Sequence, residues 1–206
     1  MKKFLLTTTC TIILASPAVA AEPETDIRGL YISPKFIVAH GKLNDIDVAG
    51  TNVGEGYDTM TGIALAIGYD FDRLFKTPIR TEVEFAVRSD AKKDGISVGV
   101  KTMVANIFYD FKNSSDCTPY LGAGLGFAFV DLEADSVAGK ISDSTTNFAW
   151  NIGFGANYSL NDNVALGLGY RYFDYGKAEI AKTAKTNKVT GDTVGHEFLM
   201  SIRYTF

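Results

Sequence analysis

The segment Ile79-Arg80-Thr81-Glu82-Val83-Glu84-Phe85-Ala86-Val87-Arg88 decides the fold. Ile79, Thr81, Val83, Phe85 and Val87 form one set of alternate positions, and Arg80, Glu82, Glu84, Ala86 and Arg88 form the other. Successive side chains of a strand point to opposite faces, so this segment reads as a strand with one greasy face and one charged face. Met60 to Phe71 repeats the pattern, with Ile63, Leu65, Ile67, Tyr69 and Phe71 opposing Gly62, Ala64, Ala66, Gly68 and Asp70. Followed outward in both directions, the alternation predicts strands over 29–41, 60–71, 79–88, 97–111, 119–131, 146–159, 164–174 and 194–206.

The joins alternate in length. Those at 72–78, 112–118 and 160–163 are short, whereas those near 42–59, 89–96, 132–145 and 175–193 are mostly long. An even number of strands of about 10 residues, short turns on one side and longer loops on the other, predicts an all-β fold: an eight-stranded antiparallel up-and-down transmembrane β-barrel. A soluble barrel or sandwich also alternates. It has no reason, however, to place aromatics at fixed heights on its apolar face. Tyr69, Phe71, Tyr109, Phe111, Tyr158, Tyr204 and Phe206 gather near the short-turn ends on that parity, and Phe127, Phe129, Phe148, Trp150, Tyr170 and Tyr172 gather toward the long-loop ends. Pro34 in the first strand, and Gly99 to Val104 with apolar residues on both parities in the fourth, predict bulges or register irregularities.

Composition limits the function classes. The chain has 206 residues, 46% hydrophobic and 21% charged, enough for one domain. Its formal charge of -4 gives no general footprint for nucleic acid. Two cysteines, Cys10 and Cys117, and two histidines, His40 and His196, make neither a Cys-rich nor a His-rich metal centre, so no metal or other cofactor is expected. Met1-Lys2-Lys3, the apolar stretch Phe4 to Ala15 and the small-x-small Ala18-Val19-Ala20 have the form of an export signal over residues 1–20, leaving a barrel domain over 21–206. Cleavage leaves Cys117 without an internal disulfide partner.

The inward parity carries Lys35, Arg80, Arg88, Arg171 and Arg203 as cations and Asp70, Glu82, Glu84, Asp110 and Glu197 as anions. An eight-stranded barrel has an interior just wide enough for its own side chains, so these ten charges are expected to pair across the lumen as a polar plug. The alternative is a narrow pore with the same charges as its walls. Gly122-Ala123-Gly124-Leu125-Gly126 lacks dinucleotide-binding spacing, and the glycines are expected to make room for long side chains crossing the interior. Catalysis is not expected: His196 falls on the lipid-facing parity, and His40 has no acid or serine of its own parity in its strand.

Several short stretches carry a family resemblance. Ser201-Ile202-Arg203-Tyr204-Thr205-Phe206 resembles the terminal strand of outer-membrane proteins, and Asn106 to Phe111, Thr118 to Gly126 and Gly169 to Asp174 add to the likeness. Together they are similar to the opacity-protein-like small barrels related to the transmembrane domain of OmpA, over essentially all of the mature chain. The resemblance implies residence in the outer membrane among lipid and lipopolysaccharide. It also implies recognition of Ile202, Tyr204 and Phe206 by the outer-membrane assembly machinery, and partners chosen by variable loops.

The last loop carries Lys177, Lys182, Lys185 and Lys188, candidate contacts for a sulfated glycan, lipopolysaccharide phosphate or a host-cell or matrix ligand. Asp45, Asp47, Glu55 and Asp58 in the first loop, and Asp131, Glu133, Asp135 and Asp143 in the third, match no calcium-loop spacing. The expected function is that of a monomeric, surface-exposed structural or interaction protein of adhesin or surface-antigen type, with a narrow porin as the alternative. Mature protein recovered from the membrane should begin at Ala21 on amino-terminal sequencing; a retained Met1 would remove the export reading.

Overall fold

The computed structural model describes residues 27–48, 51–52, 56–89, 91–93, 96–136, 139–180 and 189–206. The export segment 1–20 lies outside the described residues. Eight long strands form the wall: β1 (Leu30–Val48), β2 (Gly56–Asp70), β3 (Ile79–Arg88), β4 (Ile96–Asp110), β5 (Cys117–Ser136), β6 (Gly139–Ser159), β7 (Val164–Ile180) and β8 (Val189–Thr205). Each pairs antiparallel with its sequence neighbours, and β8 pairs with β1 from Tyr31↔Thr205 to Val48↔Val189, which closes the barrel. Two short strands, Thr51–Asn52 beside β1 and Ala91–Lys93 beside β4, lie on the long-loop side.

Closure accounts for the burial pattern. From Arg80 to Arg88 along β3, even-numbered residues are buried, while Val83, Phe85 and Val87 are exposed. The outward face is apolar around the wall, with Ile63 68% exposed, Leu168 65% and Leu125 61%. A surface of that composition is stable only against hydrocarbon. At its short-turn edge, the Tyr69–Phe71, Tyr109–Phe111 and Tyr204–Phe206 rings meet edge-on at 5.0, 5.1 and 5.0 Å. Toward the long-loop edge, Trp150 packs with Tyr172, and Phe154 and Phe198 pack with Tyr170. Beyond it, Lys101 and Asp131 form an exposed ion pair at 2.8 Å.

The short turns are locally determined. The one-turn helix Asp72–Phe75 ends at Lys76, whose φ of 53° is left-handed. The Asn161 side chain accepts hydrogen bonds from Asn163 N and Val164 N, an Asx turn that reverses the chain between β6 and β7. Gly29, at φ 98°, brings its backbone so close to Asp70 O that a Cβ would stand 2.6 Å away. Its N–H donates to Phe206 O, while Phe206 N–H donates to Leu30 O, tying the start of β1 to the end of β8.

Three expectations are corrected. The long joins are largely strand: β5 and β6 stay paired to Ser136↔Gly139, and β7 and β8 to Ile180↔Val189, because alternation weakens beyond the membrane while the ladder continues. Gly99 to Val104 pairs without a register shift, since Val100 and Val104 point inward into an apolar cluster while Met103 faces outward. Pro34 causes no register shift either. The β1–β8 ladder is interrupted between Ile32↔Tyr204 and Lys35↔Ser201 and resumes in register; the described irregularities fall at Asn44/Asp47 and Asp192/Val194.

A ladder with no free edge resists detergent, so the folded protein should migrate differently on gels before and after boiling. Deleting Phe206 should lower its outer-membrane level while costing the folded barrel no more than about 1.5–3 kcal/mol. Equal insertion of truncated and intact chains would remove its role in assembly.

Candidate functional site

The lumen and the long-loop rim are the two places where chemistry could reside. All ten charged residues read as inward lie inside the barrel, and most are nearly inaccessible. Six form one continuous network: Lys35 of β1, Glu82, Glu84 and Arg88 of β3, Arg171 of β7 and Glu197 of β8. Lys35 Nζ pairs with Glu82 and, at 2.7 Å, with Glu84. Arg171 bridges Glu84 at 2.8 Å and Glu197 at 2.5 Å, and Arg88 Nε reaches Glu197 at 2.6 Å. Three cations thus meet three carboxylates, leaving the network neutral. Hydroxyl and amide donors extend it: Tyr175 Oη donates to Glu197, Tyr31 Oη and Asn106 Nδ2 donate to Glu82, and Asn151 Nδ2 donates to Asn106.

A second pair sits apart. Arg80 binds Asp110 bidentately, through Nε at 2.7 Å and Nη2 at 2.9 Å, with its guanidinium 4.8 Å from the Phe108 ring centre. Such a fork-on-fork pair is among the stronger charge-assisted contacts. Arg203 departs from the expectation that the inward charges pair with one another across the lumen. Its Nε and Nη1 are buried without a described hydrogen-bond partner, and its guanidinium lies 5.6 Å from the Tyr31 ring centre. It lines both a small inner cavity and the polar short-turn mouth, where Asp70 also lies.

Sequence reasoning missed the inward aromatics. Phe173 and Tyr175 stack at 4.5 Å and are wholly buried, clustering with Val100, Val104, Ala128 and Ala149. Arg88 lies 5.3 and 5.0 Å from their ring centres, which caps the network on the long-loop side. The available signal was the alternation of Phe173 and Tyr175 with outward Tyr172, on the same parity as Arg171. Glycines beside two other inward rings, Phe108 and Tyr120, permit their packing. A Cβ on Gly122 would stand 2.4 Å from the Phe108 ring, and one on Gly169 would stand 2.4 Å from Tyr120 Oη. A cavity between Tyr31, Lys35, Glu82, Asn106, Phe108 and Arg203 measures about 50 Å³, room for a few water molecules.

At the rim, His196 Nδ1 is 2.6 Å from Tyr170 Oη and His40 Nδ1 is 3.0 Å from Thr59 Oγ1. Neither contact is with a carboxylate. Lys177 falls in β7 opposite Asp192, while Lys182, Lys185 and Lys188 lie outside the described residues. Ile202 and Tyr204 face outward on β8, and Phe206, just past its end, is also exposed.

A closed wall with an apolar outside and a charged, filled inside defines an integral outer-membrane β-barrel protein. The chain matches the outer membrane protein beta-barrel domain over residues 6–206 and belongs to that family. It is 30% identical to the outer membrane protein PagN of Salmonella typhimurium, over the whole of both chains. A Rickettsia conorii protein named as a candidate adhesin is 29% identical over 57% of this chain and 55% of its own length. Among solved structures, neisserial surface protein A superposes with a TM-score of 0.62 at 22% identity, covering 86% of this chain and 97% of that one.

Replacing Glu197 by Ala should cost about 3–5 kcal/mol, because it leaves Arg88 and Arg171 as buried cations with a lost partner. Glu82→Ala should cost less, since Lys35 retains Glu84. Urea unfolding of the barrel in lipid vesicles measures both, and equal losses would refute the ranking.

Proposed function

We propose that this outer-membrane barrel is an interaction protein of adhesin or surface-antigen type, in which the wall anchors projecting hairpins and the lumen transmits no solute. The observation that carries the reading is the length of β5 and β6, 20 and 21 residues paired to Ser136↔Gly139. A membrane crossing needs only about 9–11 residues. The surplus length continues as ordered hairpin on the long-loop side, a stiff support for binding loops. The full-length similarity to PagN and the partial similarity to a candidate adhesin support the same reading.

The neutral ion network and its aromatic cap favour a plug over the porin alternative, since a pore needs a continuous water path and the cavity beside the network is about 50 Å³. In this reading the barrel is a monomer with no cofactor and no catalytic step. Lys177, Lys182, Lys185 and Lys188 supply the positive charge for a sulfated or phosphorylated partner, on a host cell, in matrix or in lipopolysaccharide. The outer-membrane assembly machinery engages Ile202, Tyr204 and Phe206.

The test displays the protein on a non-adherent Gram-negative host and measures attachment to cultured cells and to immobilised heparin. Attachment should rise several-fold over the host alone and fall when Lys182, Lys185 and Lys188 are all replaced by serine. Purified barrel in a planar bilayer should show no steady conductance. Open-channel current at the nanosiemens scale, with no gain in attachment, would replace this reading by the porin.

A further inference from the structure

The chain contains two histidines, and the fold brings them together. The β1–β8 register sets His40 directly opposite His196, across the seam where the first strand meets the last. They are 156 positions apart in sequence. Both are exposed and outward-facing, two residue pairs beyond Val38↔Phe198 at the long-loop edge of the apolar belt. Facing residues of an antiparallel pair hold their Cβ atoms about 4.5–5.5 Å apart. Two imidazoles at that spacing can share one cation with metal–nitrogen bonds of about 2.0–2.1 Å.

The surroundings of the rings match this use. His196 Nδ1 meets Tyr170 Oη at 2.6 Å, and His40 Nδ1 meets Thr59 Oγ1 at 3.0 Å. A metal-ligating imidazole typically donates one ring N–H to an oxygen, which fixes its tautomer and makes the other nitrogen the ligand. With the proton on Nδ1, the hydroxyls of Tyr170 and Thr59 are those acceptors and Nε2 is the ligating atom on each ring. The His196 ring is further positioned by stacking on Tyr170, with centres 5.9 Å apart, and by edge contact with Tyr172 at 5.6 Å. These contacts limit ring rotation before any cation arrives.

We propose that His40 and His196 form a two-imidazole site for a divalent d-block cation at the outer rim of the barrel. Imidazole nitrogen selects copper, nickel or zinc over calcium and magnesium, and water completes the coordination. Because one ligand belongs to β1 and the other to β8, the bound cation clasps the closing seam. It binds only when that seam is formed, so it stabilises the closed barrel by mass action.

The experiment uses the full chain without a polyhistidine tag, folded in detergent micelles, titrated calorimetrically with Cu²⁺ and with Zn²⁺. One cation per chain should bind, Cu²⁺ more tightly than Zn²⁺. His40→Asn and His196→Asn should each abolish the site, and Tyr170→Phe should weaken it by about tenfold. Cu²⁺ should also raise the temperature at which the folded gel band converts to the unfolded one, in the wild type and in neither histidine variant. As a measurement independent of the variants, Cu²⁺ should protect both wild-type histidines from acylation with the same half-saturation. Absence of binding, unchanged binding in either histidine variant, or protection of the two rings at different concentrations would overturn the shared site.

Discussion

The structure depends on one constraint: in hydrocarbon, each backbone N–H and C=O must find its partner within the protein. A sheet satisfies this only by closing on itself, and here the closing bond is the β8–β1 ladder from Tyr31↔Thr205 to Val48↔Val189. Closure separates inside from outside, and the two-residue period then assigns every strand residue to one of them. An outward Leu125 and its inward neighbour Gly124 follow from the same geometric rule. The seam is not uniform, because Pro34 has no N–H to donate and the ladder lapses beside it before resuming in register.

The interior follows from the small circumference of eight strands. Long inward side chains lean over the neighbouring strands as they cross the lumen, and glycines there leave them room. Gly122 lies beside Phe108 and Gly153 beside Arg171 on adjacent strands, and Gly169 of β7 meets Tyr120 of β5. Buried charge is tolerable because the six-residue network is neutral and Arg80 pairs with Asp110. Removing one carboxylate is therefore worse than removing an equally buried apolar residue, since the cations left behind cannot reach water. The stacked Phe173 and Tyr175 seal this polar layer from the long-loop side, and Arg88 joins the two layers through their ring faces.

The division between anchor and working surface has the same origin. Within the membrane the outward positions are constrained to be apolar and the inward ones to pair, so neither is available to discriminate partners. Beyond the belt the β5–β6 ladder continues with no such restriction, and side-chain choice there is free to serve binding. At the rim between the two regimes, Tyr170 and Tyr172 meet His196 and polar side chains face outward beside lipid.

By itself the sequence determined the strand count, the direction of each strand and the face on which each side chain falls, because alternation is local and carries its own phase. The ten inward charges and the outward aromatic pairs are consequences of that phase. Tertiary structure alone decided which charge meets which: Arg88 finds Glu197, 109 positions away, while Arg203 finds the face of Tyr31. It also turned Phe173 and Tyr175 into a seal and set His40 against His196. Those outcomes depend on the stagger of strands around the barrel and on which elements lie across its lumen. Stagger is a property of the closed ring as a whole, and no single strand encodes it.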